Sequence, residues 1–379
     1  MVGEFSQTEV GFMKRALELA ERGRGQVKPN PLVGCVLVKD GAIIAEGWHD
    51  HLGGLHAEQM AIADAEKNGH SLNGAIAYVT LEPCNHYGRT PPCTEALLWA
   101  GIGEVVVSHQ DPNPTVRGKG ISCLEGAGVI VRQGLLQDKS RIQMQSFLNW
   151  CDSRIPLVTL KVAIDKNGAV DDRAEDSFRF TSQESLDAVH RLRKDVDAII
   201  VGVGTVLRDN PSLTVRRIDL GEGKQPLRVV LDRELKTPID SIIVNDDHDT
   251  LILHVEGREE KIAALNSRNN VEVHKLQSAR NHSGVDLHLL LSLLGDRGYQ
   301  EVLLEGGPET ARRFLAAETV DRVVLIKADV DFSQPFPLSL GEEDFSAAGL
   351  QRLSDVHWGV DTVSRWSKAG LGWPVDGWP

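Results

Sequence analysis

Three residues that lie far apart in the sequence have the chemistry of a single zinc site, and this constrains the fold more than any other feature. His56 stands two residues before Glu58, and the segment from Glu82 to Cys93 contains two cysteines, Cys84 and Cys93. A catalytic zinc needs three protein ligands, an open fourth position for water, and a nearby group that moves protons. We therefore predict a fold in which His56, Cys84 and Cys93, here called the zinc triad, bind one Zn²⁺.

The order of these residues matches the signature of zinc-dependent base deaminases, which is His-x-Glu followed by Pro-Cys and a second Cys. The glutamate of this signature does not bind the metal, so Glu58 is predicted to be catalytic, moving a proton from water to the ring nitrogen and the departing amine. The alternative is a closed structural zinc site, in which His49 or His86 provides a fourth ligand.

The first part of the chain alternates helical and strand patterns. Strands separated by helices indicate an α/β sandwich with mostly parallel strands. This order places His56 and Glu58 in the first turn of a helix, Cys84 just after a strand, and Cys93 at the start of another helix. The predicted helices cover residues 7–22, 56–67 and 94–100, and the predicted strands cover residues 33–38, 75–81 and 104–108.

A second α/β pattern begins near residue 151, and 379 residues are enough for two domains with separate cores. We therefore predict domains at residues 1–150 and 151–379. The tail after Phe332 has four of the seven tryptophans but no motif that predicts its structure. The predicted strands of the second domain cover residues 157–164, 198–203, 227–231, 250–255, 271–276, 301–305 and 322–327, and its helices cover 182–194, 285–297 and 309–317.

The net charge and the cysteine content of the chain indicate which partners and which compartment it is suited to. The formal net charge of −13 opposes binding to the phosphate backbone of a nucleic acid. Five cysteines are an odd and sparse set, which is typical of a reducing compartment rather than a disulfide framework. The N-terminal region lacks the apolar stretch of a signal peptide. We expect a cytoplasmic homo-oligomer that acts on a small molecule, without a nucleic-acid or membrane partner.

Residues 1–330 resemble the bifunctional riboflavin-biosynthesis deaminase/reductase family. The resemblance implies a cytidine-deaminase-like α/β/α domain followed by a dihydrofolate-reductase-like α/β domain, with Zn²⁺ and NADPH as cofactors. It also implies the reactions: the first domain hydrolytically deaminates a diaminopyrimidine nucleotide, and the second reduces the ribosyl side chain of the product. The matching stretches are residues 29–34, 47–49, 56–58, 81–93 and 111–114, followed by 197–216 and 302–310 in the second domain.

The resemblance also assigns binding residues. The family's deaminase-substrate contacts fall on Asn30, His49, His86, Arg89, Asp111 and Asn113. Its NADPH contacts fall on Ala163, Thr205, Asp209, Gly307, Pro308, Glu309, Thr310, Ala311, Arg312 and Arg313. Its reductase-substrate contacts fall on Ser177, Arg193, Leu213, Arg216 and Glu305. The chemistry is consistent, because arginines such as Arg193 and Arg216 suit a ribose phosphate, and His86 and Arg89 suit the phosphate of the first substrate.

Two departures from the family pattern concern the second domain. Asp165 replaces a small hydroxyl residue, and Arg179 replaces a tryptophan. We predict that Arg179 meets a phosphate of the cofactor. These departures leave open the alternative of a deaminase whose second domain binds a ligand or stabilises the enzyme but does not catalyse a reaction. A deaminase of free nucleosides or tRNA is a further alternative, opposed by the eight residues between Cys84 and Cys93 and by the net charge. A zinc-stabilised binding module is the alternative without catalysis.

Overall fold

The chain forms two compact units, each with its own sheet and core. The computed structural model describes residues 5–87, 91–113, 117–174, 179–279, 284–375 and 378–379. The first unit comprises Met1–Ser153 with Gly221–Gly223, and the second comprises Arg154–Leu220 and Lys224–Pro379. Within the described ranges, none of the helices combines the length and the apolar character that crossing a bilayer requires.

The first unit is a five-stranded sheet with helices packed on it. Its strands are β1 (Gly34–Lys39), β2 (Ala42–Trp48), β3 (Ile76–Leu81), β4 (Glu104–His109) and β5 (Ile130–Gln133). Its helices are α1 (Gln7–Glu21), α2 (Ala57–Lys67), α3 (Cys93–Trp99), α4 (Lys119–Gly126), α5 (Gln137–Gln143) and α6 (Gln145–Ser153). The strand order is β2-β1-β3-β4-β5, with β1 antiparallel to both neighbours and β3, β4 and β5 parallel to one another.

Side chains alternate across this sheet, so both of its faces are buried. Cys35 and Leu37 of β1 belong to a core cluster with the alanines of α2, whereas Val36 and Val38 belong to a cluster with α1. Successive residues of a strand point to opposite faces, which is why one strand contributes to both clusters. The α/β/α sandwich predicted for this part of the chain is confirmed.

A glycine fixes the start of α2 close to the sheet. A Cβ added to Gly47 of β2 would lie 2.3 Å from the carbonyl oxygen of Ala57, the first residue of α2. A side chain at this position would therefore push the helix away. His56 is the N-cap of the same helix, with extended backbone angles. The close approach at Gly47 thus sets the position of the histidine of the zinc triad.

The second unit is built on a nine-stranded sheet. Its strands are β6 (Leu157–Ile164), β8 (Ala198–Gly202), β9 (Leu227–Leu231), β10 (Thr250–His254), β11 (Val271–Lys275), β12 (Glu301–Leu304), β13 (Arg322–Lys327), β15 (Leu350–Trp358) and β16 (Asp361–Lys368), and a separate pair is formed by β7 (Ala169–Asp172) and β14 (Pro335–Pro337). Its helices are α7 (Gln183–Asp195), α8 (Val203–Asp209), α9 (Ile242–Asn245), α10 (Glu259–Asn266), α11 (Leu287–Asp296), α12 (Pro308–Ala316) and α13 (Glu342–Ala347). The strand order is β11-β10-β9-β8-β12-β6-β13-β16-β15.

Parallel pairing brings functional loops to one edge of this sheet. The strands from β11 to β13 are parallel to their neighbours, and only β16 and β15 are antiparallel additions. The carboxyl ends of β8, β9 and β12 therefore meet, and ligands of open parallel sheets bind at such an edge. Gly202 ends β8, and Glu305 follows β12 directly.

Candidate active sites

Separate elements bring the zinc triad together in the first unit. His56 caps α2, Cys93 is the first residue of α3, and Cys84 lies three residues beyond the end of β3. The loop between the cysteines is closed by the Thr94 amide, which donates to the Cys84 carbonyl at 3.2 Å. Gln59 of α2 also donates from its side chain to the Pro91 carbonyl at 2.9 Å. These contacts hold the two helix starts against each other.

The three donor atoms have the separations that one zinc ion requires. Nδ1 of His56 lies 3.2 Å from Sγ of Cys93 and 3.6 Å from Sγ of Cys84. Each of the three ligand atoms lies within 4.8 Å of the others. A tetrahedral zinc with nitrogen at about 2.0 Å and sulfur at about 2.3 Å separates such donors by roughly 3.6 Å. The residues present therefore fit a zinc ion.

The charge state of the cysteine pair also suits a metal ligand. The hydrogen bond from Cys93 holds the pKa of Cys84 at about 4, and the contact with His56 acts in the same direction against the effect of burial. Cys93 has its own pKa raised because it shares a proton with this thiolate. One thiolate is thus present at neutral pH, and thiolate is the form that binds zinc.

Glu58 is buried beside the triad, with only 3% of its surface exposed. Its carboxyl group is within hydrogen-bonding reach of the Cys93 side chain. Burial, reinforced by the Cys84 thiolate, raises the pKa of Glu58 to about 7. A carboxyl group that titrates near neutral pH can both accept and release a proton, which is the property that general acid-base catalysis needs.

A fourth protein ligand is not found among the described residues, where the only cluster of potential metal ligands is the triad itself. His49, one candidate for a closed site, is held elsewhere: its Nδ1 lies 2.9 Å from the Leu55 carbonyl oxygen and its Nε2 lies 3.1 Å from Nδ2 of Asn30. His86, the other candidate, is exposed. The described residues therefore leave the fourth position open.

Four of the predicted deaminase-substrate residues form two hydrogen-bonded pairs. Asn30 and His49 are hydrogen-bonded, and the His49 ring lies 5.5 Å from the His56 ring. Burial lowers the pKa of His49, so it is a neutral ring that accepts from the Asn30 amide. Asp111 and Asn113 form the second pair, in which the Asn113 amide donates to the Asp111 carboxylate at 2.8 Å. Arg89 lies outside the described residues.

Glu82 is a residue that the sequence reasoning missed. Its buried carboxylate accepts four backbone N–H groups, from Asp111, Gly118, Gly120 and Ile121, at 3.0 to 3.2 Å. It therefore ties the loop that holds Asp111 to the strand end that precedes Cys84. The available signal was its position in the Leu81–Cys93 motif, directly after a strand.

The second unit contains a cavity of about 600 Å³ at the carboxyl edge of its sheet. This volume lies within the range of small-molecule and cofactor sites. Glycines at Gly202, Gly306 and Gly307 keep the cavity floor open at the start of α12, where N–H groups favour phosphates. Eight of the predicted NADPH contacts line it, namely Ala163, Thr205, Asp209, Gly307, Pro308, Glu309, Thr310 and Arg313. The residues present fit a dinucleotide.

Three of the predicted NADPH contacts are not among the lining residues. Ala311 is fully buried in the core, and Arg312 is paired with Glu309 at 2.9 Å. Arg179 is exposed, and its charge acts on His190 and Arg216. For these three the cofactor contact stays a prediction.

Glu305 connects the cavity to two of the predicted substrate residues. It is 7% exposed, and Arg193 of α7 binds both of its carboxylate oxygens, at 2.6 and 2.9 Å. Lys161 of β6 lies 3.4 Å away on the same carboxylate. Burial would raise the pKa of Glu305, but Arg193 and Lys161 outweigh it and hold that pKa at about 2. Lys161, which lines the cavity, is a second residue that the sequence reasoning missed.

The other predicted reductase-substrate residues lie close to Arg193. Arg216 donates to the Ser212 hydroxyl at 2.7 Å, and its amide donates to Nδ1 of the buried His190 at 3.1 Å. The charges of Arg193 and Arg179 both act on Arg216, and so does the charge of Glu305. Three arginines therefore lie near the carboxylate of Glu305. Leu213, three residues before Arg216, is buried and has a positive φ of 53°. Ser177 lies outside the described residues.

The two departures from the family pattern leave the cavity open. Asp165 is fully buried and accepts the amides of Asn167 and Ala169 at 2.9 and 2.8 Å, so it shapes the turn from β6 to β7. It is not among the residues that line the cavity. Phe180, next to Arg179, and Phe336 do line it, and they supply aromatic surface to the cavity. Neither change closes the site to a cofactor.

These sites define the class of protein, which has one unit with the metal ligands and buried glutamate of a zinc-dependent deaminase and a second unit with a dinucleotide-sized cavity. Comparison with known families agrees with both. The cytidine and deoxycytidylate deaminase zinc-binding region matches residues 6–109, and the RibD C-terminal domain matches residues 156–347.

Relatives match nearly the whole chain. The riboflavin biosynthesis protein RibD of Aquifex aeolicus is 38% identical over 322 residues, covering 85% of this chain and 87% of the relative. RibD of Escherichia coli is 36% identical over 360 residues, covering 91% and 93%. The solved structure of Acinetobacter baumannii RibD superimposes with a TM-score of 0.82 at 34% identity, covering 95% and 99%. The chain belongs to the RibD family of riboflavin biosynthesis proteins.

Membership of this family establishes one enzymatic activity for each of the two domains. A second solved structure, the deaminase/reductase of Thermotoga maritima, has a TM-score of 0.79 and 33% identity, and it covers 96% of this chain and 99% of its own. The chain is a bifunctional deaminase and reductase with Zn²⁺ and NADPH as cofactors. The expectations of fold class, enzyme class and cofactors are confirmed.

Proposed function

We propose that residues 1–150 deaminate a diaminopyrimidine ribonucleotide and that residues 151–379 then reduce the ribosyl group of the product to ribityl. The observation that supports this most directly is the convergence of the zinc triad beside buried Glu58. The division of the two reactions follows from the two sites, since the metal-ligand cluster of the described residues lies in the first unit and a dinucleotide-sized cavity lies in the second.

In the first domain His56, Cys84 and Cys93 hold the metal. Zinc in such a triad activates a water molecule as a nucleophile at neutral pH. Glu58 would carry one proton of the attacking water to the pyrimidine ring nitrogen and the other to the amino group, which leaves as ammonia while the oxygen stays on the ring carbon. Asn30, His49, Asp111 and Asn113 hold the base and sugar by hydrogen bonds, while His86 and Arg89 bind the phosphate.

In the second domain the residues that line the cavity would hold NADPH, which would supply a hydride to C1′ of the sugar in its ring-opened imine form. Glu305 is kept ionised by Arg193 and Lys161, so it accepts hydrogen bonds from sugar hydroxyls without being protonated at neutral pH. Arg216, together with Arg193, binds the ribose phosphate, and Ser177 and Leu213 complete the pocket. Ala163 and Thr205, which line the cavity, would contact NADPH.

We further propose that the enzyme is a homo-oligomer of the reducing cytoplasm. All five cysteines are free of disulfides, which supports the compartment. An edge strand, β15, supports the assembly: it pairs with β16 on one side, and edge strands are surfaces on which a second copy can add. Light scattering of the purified protein measures the oligomeric state, and a monomer at micromolar concentration would refute that part.

A two-stage assay tests the enzymatic proposal. The zinc-loaded protein is incubated with the diaminopyrimidine nucleotide, released ammonia is measured, and NADPH is then added and its oxidation followed at the nicotinamide absorbance. We expect ammonia release without NADPH, and NADPH oxidation only after deamination. Absence of ammonia release contradicts the deaminase part, and absence of NADPH oxidation after complete deamination contradicts the reductase part alone.

Glu58→Gln separates catalysis from a zinc-stabilised binding module. The variant keeps the size of the side chain but cannot carry a proton, so ammonia release should fall by at least about 100-fold while zinc content stays equal to wild type. Glu66→Gln, on the exposed end of the same helix, is the matched control and should leave the rate unchanged. Unchanged turnover in Glu58→Gln would contradict the proton-transfer role of Glu58, and a zinc-loaded wild type that releases no ammonia would support the binding module instead.

A further inference from the structure

Three arginines line the cavity of the second unit, and they differ in how their charges are neutralised. Arg208 binds both carboxylate oxygens of Asp171, at 2.9 and 3.2 Å. Arg233 forms an ion pair with Glu256 at 2.9 Å. Arg313 makes its hydrogen bond to a neutral group, the Val285 carbonyl oxygen, at 2.7 Å. In the part of the chain that the structure describes, no carboxylate forms an ion pair with Arg313.

The surroundings of Arg313 leave its charge available for an anion. The nearest acid that affects it, Glu309, is already paired with Arg312 at 2.9 Å. Burial lowers the pKa of Arg313, because the guanidinium is taken from water without a compensating carboxylate. A desolvated and uncompensated cation is costly unless a ligand completes it. The site is therefore built for a negative group that the protein itself does not provide.

The backbone has been adapted to hold this guanidinium. A Cβ added to Gly284 would lie 2.9 Å from Nη1 of Arg313, so a side chain at this position would displace the guanidinium. Gly284 also has a φ of +124°, which other residues rarely adopt. Together with the Val285 carbonyl, this fixes the fork of the guanidinium at the wall of the cavity.

The position of Arg313 along α12 indicates which anion it meets. The Gly306-Gly307 turn and the first turn of α12 lie beside Gly202 and Thr205, and this cradle suits the diphosphate of a dinucleotide. Arg313 is six residues beyond Gly307, which is about 9 Å further along the helix. Its guanidinium lies against Gly284 and Val285, whereas Lys161 and Glu305, which also line the cavity, pair with each other. In a dinucleotide the adenosine ribose follows the diphosphate, and a phosphate on that ribose is the negative group that we assign to Arg313.

We propose that Arg313 binds the 2′-phosphate of NADPH and thereby makes the reductase domain select NADPH over NADH. The proposal rests on the reductase function argued above and adds the residue that discriminates between the two cofactors. Arg208 and Arg233 each have a carboxylate partner, which Arg313 lacks among the described residues, so Arg313 is the arginine that we assign to this choice. A guanidinium is suited to the task because its planar donors bind two phosphate oxygens at once.

Binding of cofactor fragments tests this without requiring turnover. Arg313→Leu keeps the apolar volume of the side chain and removes its charge. Calorimetric titration with adenosine 2′,5′-bisphosphate and, separately, with 5′-AMP should show a loss of about 10- to 100-fold for the bisphosphate and little change for 5′-AMP, as expected for a lost charge-assisted hydrogen bond pair. Arg268→Leu, an exposed arginine outside the cavity, is the control and should bind both fragments like wild type.

Steady-state kinetics with both cofactors give the second measurement. For Arg313→Leu the KM for NADPH should rise by a similar factor, whereas the KM for NADH and the kcat with either cofactor should stay close to wild type. Equal losses with NADPH and NADH would overturn the proposal and assign Arg313 to the diphosphate. Unchanged bisphosphate affinity would also overturn it. If wild type binds the bisphosphate but oxidises no NADPH, the reductase function fails while the assignment of Arg313 stands.

Discussion

Replacing Arg193 should leave a buried carboxylate without its main partner, and the cost can be worked out from the structure. Glu305 has its pKa held at about 2, compared with 4.5 for an unperturbed glutamate. A difference of about 2.5 pKa units corresponds to roughly 3 kcal/mol of stability at neutral pH. Removing one member of a buried ion pair costs about 3–5 kcal/mol, which agrees. We expect Arg193→Met to destabilise the second unit by about 3 kcal/mol at pH 7.

The pH dependence of this effect has a definite sign. Because the pKa of Glu305 is lowered by folding, its contribution is fully present above about pH 4.5 and is lost as the pH falls towards 2. In Arg193→Met only Lys161 opposes the effect of burial, so the pKa of Glu305 rises towards or above its ordinary value. The difference in stability between wild type and variant should therefore shrink by about 1 kcal/mol between pH 7 and pH 4.

Urea unfolding of the full chain, followed by tryptophan fluorescence, measures this difference. Four of the seven tryptophans, Trp358, Trp366, Trp373 and Trp378, lie in the second unit, so its transition dominates the signal. Arg217→Met is the matched control, since Arg217 binds Asp187 at 2.6 Å in an ion pair that is 27% and 40% exposed. Exposed pairs are worth less than about 1 kcal/mol.

Two results would refute the reasoning. One is a loss in Arg193→Met no larger than that in Arg217→Met. The other is a difference that grows as the pH falls. Adding Glu305→Gln to Arg193→Met should recover part of the lost stability, because the uncompensated carboxylate is then removed. A further loss of stability in the double variant would show that the unpaired Glu305 carboxylate is not the cause of the destabilisation.

Three further variants test other parts of the structure. Glu82→Ala removes the acceptor of four backbone N–H groups, so the KM for deamination should rise at least about 10-fold while zinc content, measured by mass spectrometry, stays at wild type. Asp165→Ser should lower the stability of the second unit by about 1–3 kcal/mol but leave the affinity for NADPH unchanged, because Asp165 binds backbone amides away from the cavity. Trp378→Ala should cost about 3–5 kcal/mol in urea unfolding, because its buried ring is lost together with the 2.6 Å bond from Nε1 to Asp195.

The sequence predicted those parts whose signals are local. The strands Leu157–Ile164, Leu227–Leu231 and Arg322–Lys327 have their predicted bounds, because each is a short apolar run closed by polar residues. Helix α2 was predicted to within one residue, since Asn68-Gly69 marks its end. The zinc triad could be predicted from residue types and their order alone, because few kinds of protein site combine a His-x-Glu with a Pro-Cys and a second cysteine.

Other parts depend on tertiary contacts that no local pattern reveals. Strand β2 was missed, because Ala42–Trp48 is an edge strand with exposed residues and a glycine rather than an apolar run. The tail was missed for the same reason: β15 is exposed along most of its length and is ordered by pairing with β16. Its signal was Gly359-Val360, a two-residue turn between Trp358 and Asp361.

The arrangement of charges in the second site was also beyond the sequence. Arg193 and Glu305 were both assigned to substrate, but 112 residues separate them and nothing in the chain indicates that they bind each other. Glu82 likewise looked like part of a metal motif, whereas its partners lie 29 to 39 residues further along the chain. Residues that position others are found from the fold, while residues that carry chemistry are found from the motif.

X-ray absorption at the zinc edge tests the central claim most directly, because it reports the atoms bound to the metal in the intact enzyme. The structure predicts two sulfurs at about 2.3 Å and two lighter atoms at about 2.0–2.1 Å, with the scattering of a single imidazole. Cys84→Ser should lose one sulfur or the metal altogether. Two imidazoles, or more than two sulfurs, would mean that protein groups fill all four positions and that no site for a reactive water exists.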